Sequence, residues 1–132
     1  MVDITLLHVI LIKTVCMGSN DNYALGLGKK NQYGLLIPTE LKLPNKSKIM
    51  SISCYYLSSM VLLGNGDVYA WGDNSNKQLG LGHANEVYTP QKLELDNIIK
   101  IWCGIEYSFS MDKSGKLYKF GKEYHTPELI KY

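Results

Sequence analysis

Arginine is absent from this 132-residue chain, and all 14 of its basic residues are lysine. Without a forked guanidinium, bidentate reading of guanine, phosphate or carboxylate is excluded, and so is an arginine finger. Net charge is also slight: the 14 basic residues face 12 acidic ones, and no basic block stands out. Electrostatics therefore give no reason to expect a nucleic acid partner. Cysteine is limited to Cys16, Cys54 and Cys103, an odd number at wide spacing with no Cys-x-x-Cys. That excludes a disulfide framework and leads us to expect reduced, buried thiols rather than a metal site.

Long apolar runs are missing too. The richest stretch, "MVDITLLHVILIKTV" (1–15), carries Asp3, is broken by His8 and is stopped by Lys13. It is too short to span a bilayer and lacks the charge pattern of a signal peptide. Its Ile, Val, Leu and Thr content reads as strand. The expectation is a cytoplasmic chain with no membrane partner, nuclear residence being the alternative. Catalytic groupings are equally sparse. His8, His83 and His125 are scattered, no Gly-x-Ser-x-Gly occurs, and no paired carboxylates stand near a partner base. "SNDN" (19–22) and "DNSN" (73–76) lack the Gly and Glu of a calcium loop and read as turns that bond their own backbone. We expect no enzyme, no metal and no cofactor.

What the chain does have is repetition. "TVCMGSNDNYALGLG" (14–28) returns as "VYAWGDNSNKQLGLG" (68–82): Gly72 follows Gly18 by 54 residues, with Asn74 on Asn20 and Leu79–Gly82 on Leu25–Gly28. Pro38 matches Pro90, Cys54 matches Cys103, and "DVYAWG" (67–72) matches "KLYKFG" (116–121). Met17, Trp71 and Phe120 thus occupy one equivalent site before a Gly. A period of this length marks a repeat architecture. The units divide as an apolar strand (1–12), a first repeat (13–66), a second (67–115) and an abbreviated third (116–132) that lacks any Leu-Gly-Leu-Gly.

Each unit reads as short strands joined by turns. "DVYAWG" is apolar on both faces, as for a strand covered on both sides. "QKLELD" (91–96) alternates, with Leu93 and Leu95 inward, which suits an outer strand. Gly64-Asn65-Gly66-Asp67 supplies residues tolerant of positive φ for a hairpin, and Asp112–Gly115 fits a type I turn closed by glycine. No helical periodicity is sustained, so the fold class is all-β. In "LGLG" strand alternation places Leu79 and Leu81 on one face as a wedge between sheets, and Leu25 and Leu27 likewise. Gly26, Gly28, Gly80 and Gly82 then leave a bare face for a neighbouring backbone. A phosphate-cradling loop would need a following helix and a Lys-Ser/Thr pair, and neither is present.

"VYAWGDNSNKQLGLG" with Pro90, "CGIEYS" (103–108) and "SGKLYKFG" (114–121) resembles the regulator of chromosome condensation repeat. "CMGSNDNYALGLG" with Pro38 and "GNGDVYAWG" (64–72) is a looser copy. The resemblance implies a β-propeller of four-stranded antiparallel blades, with Gly18, Gly72 and Gly121 and the aromatic Trp71 as repeat positions. Three departures stand out. The family's Cys-Gly-x-x-His-Ser/Thr has Tyr107 in place of His; the earlier copy has Tyr55 for the Gly and Ser58 for the His; the last unit lacks its wedge. Four blades at this period would need about 200 residues, so the chain is expected to be a partial propeller that cannot close a ring alone. An open pair of blades would leave Leu79 and Trp71 uncovered. "ITLLHVILI" (4–12) is expected to pack on the first blade as a cap.

Three functional expectations follow. The first is a non-enzymatic protein-binding scaffold whose loops after each wedge present Lys29, Lys30, Tyr33, Glu86 and Tyr88 to a protein partner. The second, implied by the resemblance, is guanine-nucleotide exchange on a small GTPase such as Ran, as part of a larger propeller. The third is a partial gene product without independent function. Self-association that covers open blade edges accompanies the first.

Overall fold

The computed structural model describes the backbone of residues 5–10, 13–18 and 35–38 and all atoms of 23–28 and 39–131. Among the described residues, eleven strands form three antiparallel sheets. The first sheet holds β1 (Thr5–Ile10), β2 (Lys13–Gly18) and β3 (Leu35–Glu40). The second holds β4 (Ile49–Tyr55), β5 (Ser58–Leu63), β6 (Val68–Gly72) and β7 (Val87–Lys92). The third holds β8 (Ile98–Trp102), β9 (Ser108–Asp112), β10 (Leu117–Gly121) and β11 (Tyr124–Leu129). Strands follow chain order across each sheet, the meander of propeller blades, and the three blades do not close a ring. Among the described residues there is no α-helix, hence none long and apolar enough to cross a bilayer.

Burial follows from the sequence pattern. Every residue of β5 and β6 is buried, because the second sheet lies between the other two. Trp71, Met60, Val61, Leu63, Leu79 and Leu25 are at most 1 % exposed. Each fully buried aliphatic side chain of this kind contributes about 1.5–3 kcal/mol. In the end sheet, β9 alternates between buried and half-buried, the signature of one covered face. Neighbouring sheets meet through β4 against β8, β5 against β8 and β1 against β4.

One irregularity recurs. Pairing slips between Cys16 and Gly18 in the first sheet, between Ala70 and Gly72 in the second, and between Lys119 and Gly121 in the third. A bulge therefore sits at the repeat site of Met17, Trp71 and Phe120 in every blade, and it re-aims the strand. Gly72 and Gly121 have φ of 101° and 118°, values open to glycine.

Several sequence expectations need correction. "LGLG" is a pair of turns, not a strand: Gly80 and Gly82 both adopt left-handed φ, and the chain reverses within them. Leu93 and Leu95 are buried as expected, but the outer strand ends at Lys92 and the leucines belong to the connection after it. In the 64–67 turn only Gly66 takes positive φ, while Asn65 Oδ1 accepts the Asp67 N–H at 3.1 Å. Residues 5–10 do not cap the first blade. They pair with β2 as one of its strands. Leu79 and Trp71, expected to be uncovered, are fully buried between sheets. Cys54 is exposed rather than buried, while burial pushes the Cys103 thiol up to about 12 and keeps it protonated.

The 112–115 turn carries a pH signature. Asp112 Oδ1 accepts from the Ser114 hydroxyl at 2.6 Å and from the Ser114 and Lys116 N–H groups at 2.8 and 3.0 Å. Its Oδ2 accepts from the Tyr118 hydroxyl at 3.2 Å. The Ser114 hydroxyl above all, against an opposing burial effect, holds the carboxyl below its usual range. A depressed folded value means stability that is present above the unfolded value of about 4 and is lost as pH falls through the folded one. Urea midpoints between pH 6 and 3 should therefore fall more steeply for the native chain than for Asp112→Asn; equal slopes would remove this assignment.

Candidate functional site

The wedge loops are clasps between blades. Gly26 lies against the Trp71 indole of the next blade, so that a Cβ there would stand 2.8 Å from Nε1. Gly80 lies in the same way against the Phe120 ring, at 2.7 Å. An aromatic ring, not a backbone, occupies the bare surface, and left-handed φ turns the loop down onto it. The Trp71 Nε1–H donates to the Ala24 carbonyl at 2.9 Å, which the Ser59 hydroxyl also reaches at 2.9 Å. Gly28 N–H donates to the Tyr88 carbonyl and Gly82 N–H to the His125 carbonyl, both at 2.8 Å. Side chains at equivalent positions meet as well: the Tyr23 and Tyr88 rings pack tilted at 45° with centroids 4.1 Å apart, and Lys77 Nζ donates to His125 Nε2 at 2.7 Å. Leu25 and Leu79 are fully buried, while Leu27 and Leu81 pack half-buried on the core.

The loop itself is held by amides. Buried Asn74 accepts the Leu79 N–H at 3.0 Å and donates to the His83 carbonyl at 2.7 Å. Gln78 Nε2 donates to Asp73 Oδ2 at 2.9 Å and to the Ser58 hydroxyl at 3.2 Å. The Asn74 and Ser75 side chains thus spend their polar atoms within the loop, while Asn76 Nδ2 donates to the Ile105 carbonyl at 3.5 Å in the next blade. Among the described residues no group of three or more His, Cys, Asp and Glu could hold a metal.

The clasp explains where two sequence candidates stand. Tyr88 is 51 % exposed, but one ring face is taken by Tyr23, and Glu86 is half-buried in the loop before β7. Lys29, Lys30 and Tyr33 lie outside the described residues.

A different group gathers where the β4–β5 and β8–β9 connections come together. A shallow depression of about 430 Å³ is lined by Tyr55, Ile105, Glu106 and Tyr107. Tyr55 and Ile105 are 46 % and 56 % exposed, and Tyr56 and Trp102 nearby in sequence are exposed too. Tyr107 is the anchor of a charged rim. Lys119 Nζ lies 3.9 Å over its ring and 4.8 Å over that of Tyr124, with Lys122 at 5.5 Å from the Tyr107 ring. The Tyr107 hydroxyl donates to Glu123, and Lys122 pairs with Glu106 at 2.6 Å. Partial desolvation, then the Glu123 carboxylate, pushes the Tyr107 phenol up. Glu123's own N–H, then the Tyr107 hydroxyl and the lysines, hold its carboxyl below the usual range. The phenol therefore stays protonated and the carboxylate charged.

The sequence carries a signal for this depression that the loop candidates do not include. Tyr55 and Tyr107 are the two aromatic residues that break the family's Cys-Gly-x-x-His pattern, and they line the same hollow.

Comparison with known proteins places the chain. The model of the regulator of chromosome condensation (RCC1) repeat matches residues 16–62 and 65–111, and a second model of that description matches 49–78. No curated protein matches the chain by sequence. Among solved structures, human WBSCR16 is similar with a TM-score of 0.83 at 20 % identity, over 93 % of this chain and 36 % of that one. Prp20p from Saccharomyces cerevisiae, in a structure titled with its binding properties to Gsp1p and histones, has a TM-score of 0.82 at 22 % identity. That match covers 91 % of this chain and 34 % of Prp20p. Yeast RCC1 (Prp20) bound to Kap60 gives the same score and identity, over 91 % and 33 %. The chain spans about a third of the length of these structures.

Proposed function

The chain belongs to the regulator of chromosome condensation repeat family, and from that premise we propose that it is a non-enzymatic protein-binding segment of a β-propeller. It engages its partner through the face that carries Tyr55, Ile105, Glu106 and Tyr107. The observation that carries this reading is the convergence of two family-breaking tyrosines with an exposed isoleucine on one depression. Aromatic anchors beside an apolar side chain and a charged rim are the composition of an interface centre. A rigid clasped scaffold below the loops keeps the ordering cost of binding low.

The finer alternative is nucleotide exchange on a small GTPase, favoured by one observation: a similar structure is titled with binding to Gsp1p. Both readings are tested together with Gsp1p and core histones as probes. Fluorescence anisotropy should give saturable binding to one of them, weakened on the order of tenfold or more by the double change Tyr55→Ala and Ile105→Ala. GDP release from Gsp1p should stay at its basal rate. Accelerated release would replace the scaffold reading with exchange. Binding to neither probe, or binding indifferent to the double change, would overturn it.

A further inference from the structure

The outer face of the third blade differs from its counterpart in the second in a directed way. On the second blade, the face toward the third is built of two rows across the strands: Ser53, Met60, Ala70 and Gln91, then Ser51, Leu62 and Val68. None of these residues is charged or aromatic, and Ser51, Ser53, Val68 and Ala70 are small. Ser53 Oγ accepts the Cys103 N–H across the blades at 2.8 Å. On the third blade the same rows read Trp102, Phe109, Lys119 and Glu128, then Lys100, Met111 and Leu117.

That replacement changes what the face accepts. A tryptophan cannot make the contact Ser53 makes, and lysines at the sites of Ser51 and Ala70 would be desolvated by a blade packed in the same way. The third blade also lacks a clasp, since Lys122 and Glu123 alone join β10 to β11. Yet the face is not a solvated one either. Phe109, Met111 and Leu117 are only half-buried, where Met60, Leu62 and Val68 are at most 3 % exposed, and Trp102 is 44 % exposed.

Charge decides the occupant. Lys100 stands on the innermost strand and Glu128 on the outermost, in neighbouring rows, and both are exposed. Lys119 is already engaged over Tyr107 and Tyr124. A two-fold axis that lies in the face midway between Lys100 and Glu128 and runs nearly along the strands sets β8 of each copy over β11 of the other, laying Lys100 against Glu128 with Phe109, Met111 and Leu117 closed between them. We infer that this face pairs with a second copy of the chain in an isologous dimer. Each charge pair then occurs twice, so every substitution counts double. The two surfaces adjoin at Lys119, but neither Lys100 nor Glu128 lines the loop depression, so the failure of either assignment leaves the other standing.

A charge swap read by sedimentation velocity over a range of concentrations tests it. The native chain should sediment as a dimer. Lys100→Glu and Glu128→Lys should each raise the dissociation constant on the order of tenfold or more, and the double swap should restore it. Both positions are exposed, so far-ultraviolet circular dichroism should match across the four proteins. Tryptophan emission should shift to the blue with dimerisation, because Trp71 is buried throughout and only Trp102 changes environment. A monomeric native chain, oligomers beyond the dimer, or a double swap no tighter than the single variants would overturn the inference.

Discussion

Gly72→Ala should cost about 3 kcal/mol or more, the largest effect of a single added methyl group among the described glycines. Two causes act together. Gly72 has φ of 101°, where an alanine is strained, and its added Cβ would stand 2.2 Å from the Leu57 carbonyl oxygen. That carbonyl cannot withdraw, because it accepts the Asp73 N–H at 2.9 Å. Gly121→Ala meets the Glu106 carbonyl in the same way, at φ of 118°. It should cost less to the whole, since the third sheet has one covered face and the second has two. Urea unfolding followed by circular dichroism gives both numbers. A Gly72→Ala protein within 1 kcal/mol of native would mean that the bulge relaxes, and the recurring bulge would lose its place as a fold-defining feature.

Trp71→Ala should cost about 3–5 kcal/mol. The indole is fully buried, fills the space beneath Gly26 and donates the Ala24 hydrogen bond that ties the first blade to the second. Its removal leaves a cavity and an under-satisfied carbonyl at once. Trp71→Phe, the residue that Phe120 supplies one blade later, should keep a ring near the glycine and lose the hydrogen bond and the volume of the second ring, about 2 kcal/mol. Chemical denaturation of the pair separates the two effects. If phenylalanine costs as much as alanine, the hydrogen bond and not the ring carries the clasp.

Both predictions concern residues that the repeat pattern marks, and the pattern is legible for a physical reason. Each blade must solve the same packing problem, so a large apolar residue recurs before Gly18, Gly72 and Gly121, and the paired leucines recur in the first two units. The bulge is not legible in the sequence because it is a property of pairing between strands, and the wedge reads as a strand because alternation of large and small residues also describes two consecutive glycine turns. The ring beneath each glycine comes from the following repeat, 45 residues from Gly26 and 40 from Gly80. Nothing local in the chain announces that contact.

Composition and period by themselves determined that this is an all-β chain of a known repeat, with glycine and aromatic positions that hold blades together. They determine these things because side-chain alternation and positive φ are local demands written into adjacent residues. Only the tertiary structure decided which surfaces are left open for partners. Tyr55, Ile105 and Tyr107 meet across two separate connections, and Lys100 and Glu128 share one face through strands that pair over a distance. Such neighbours are chosen by register and sheet packing, which bring together residues that no spacing along the chain relates.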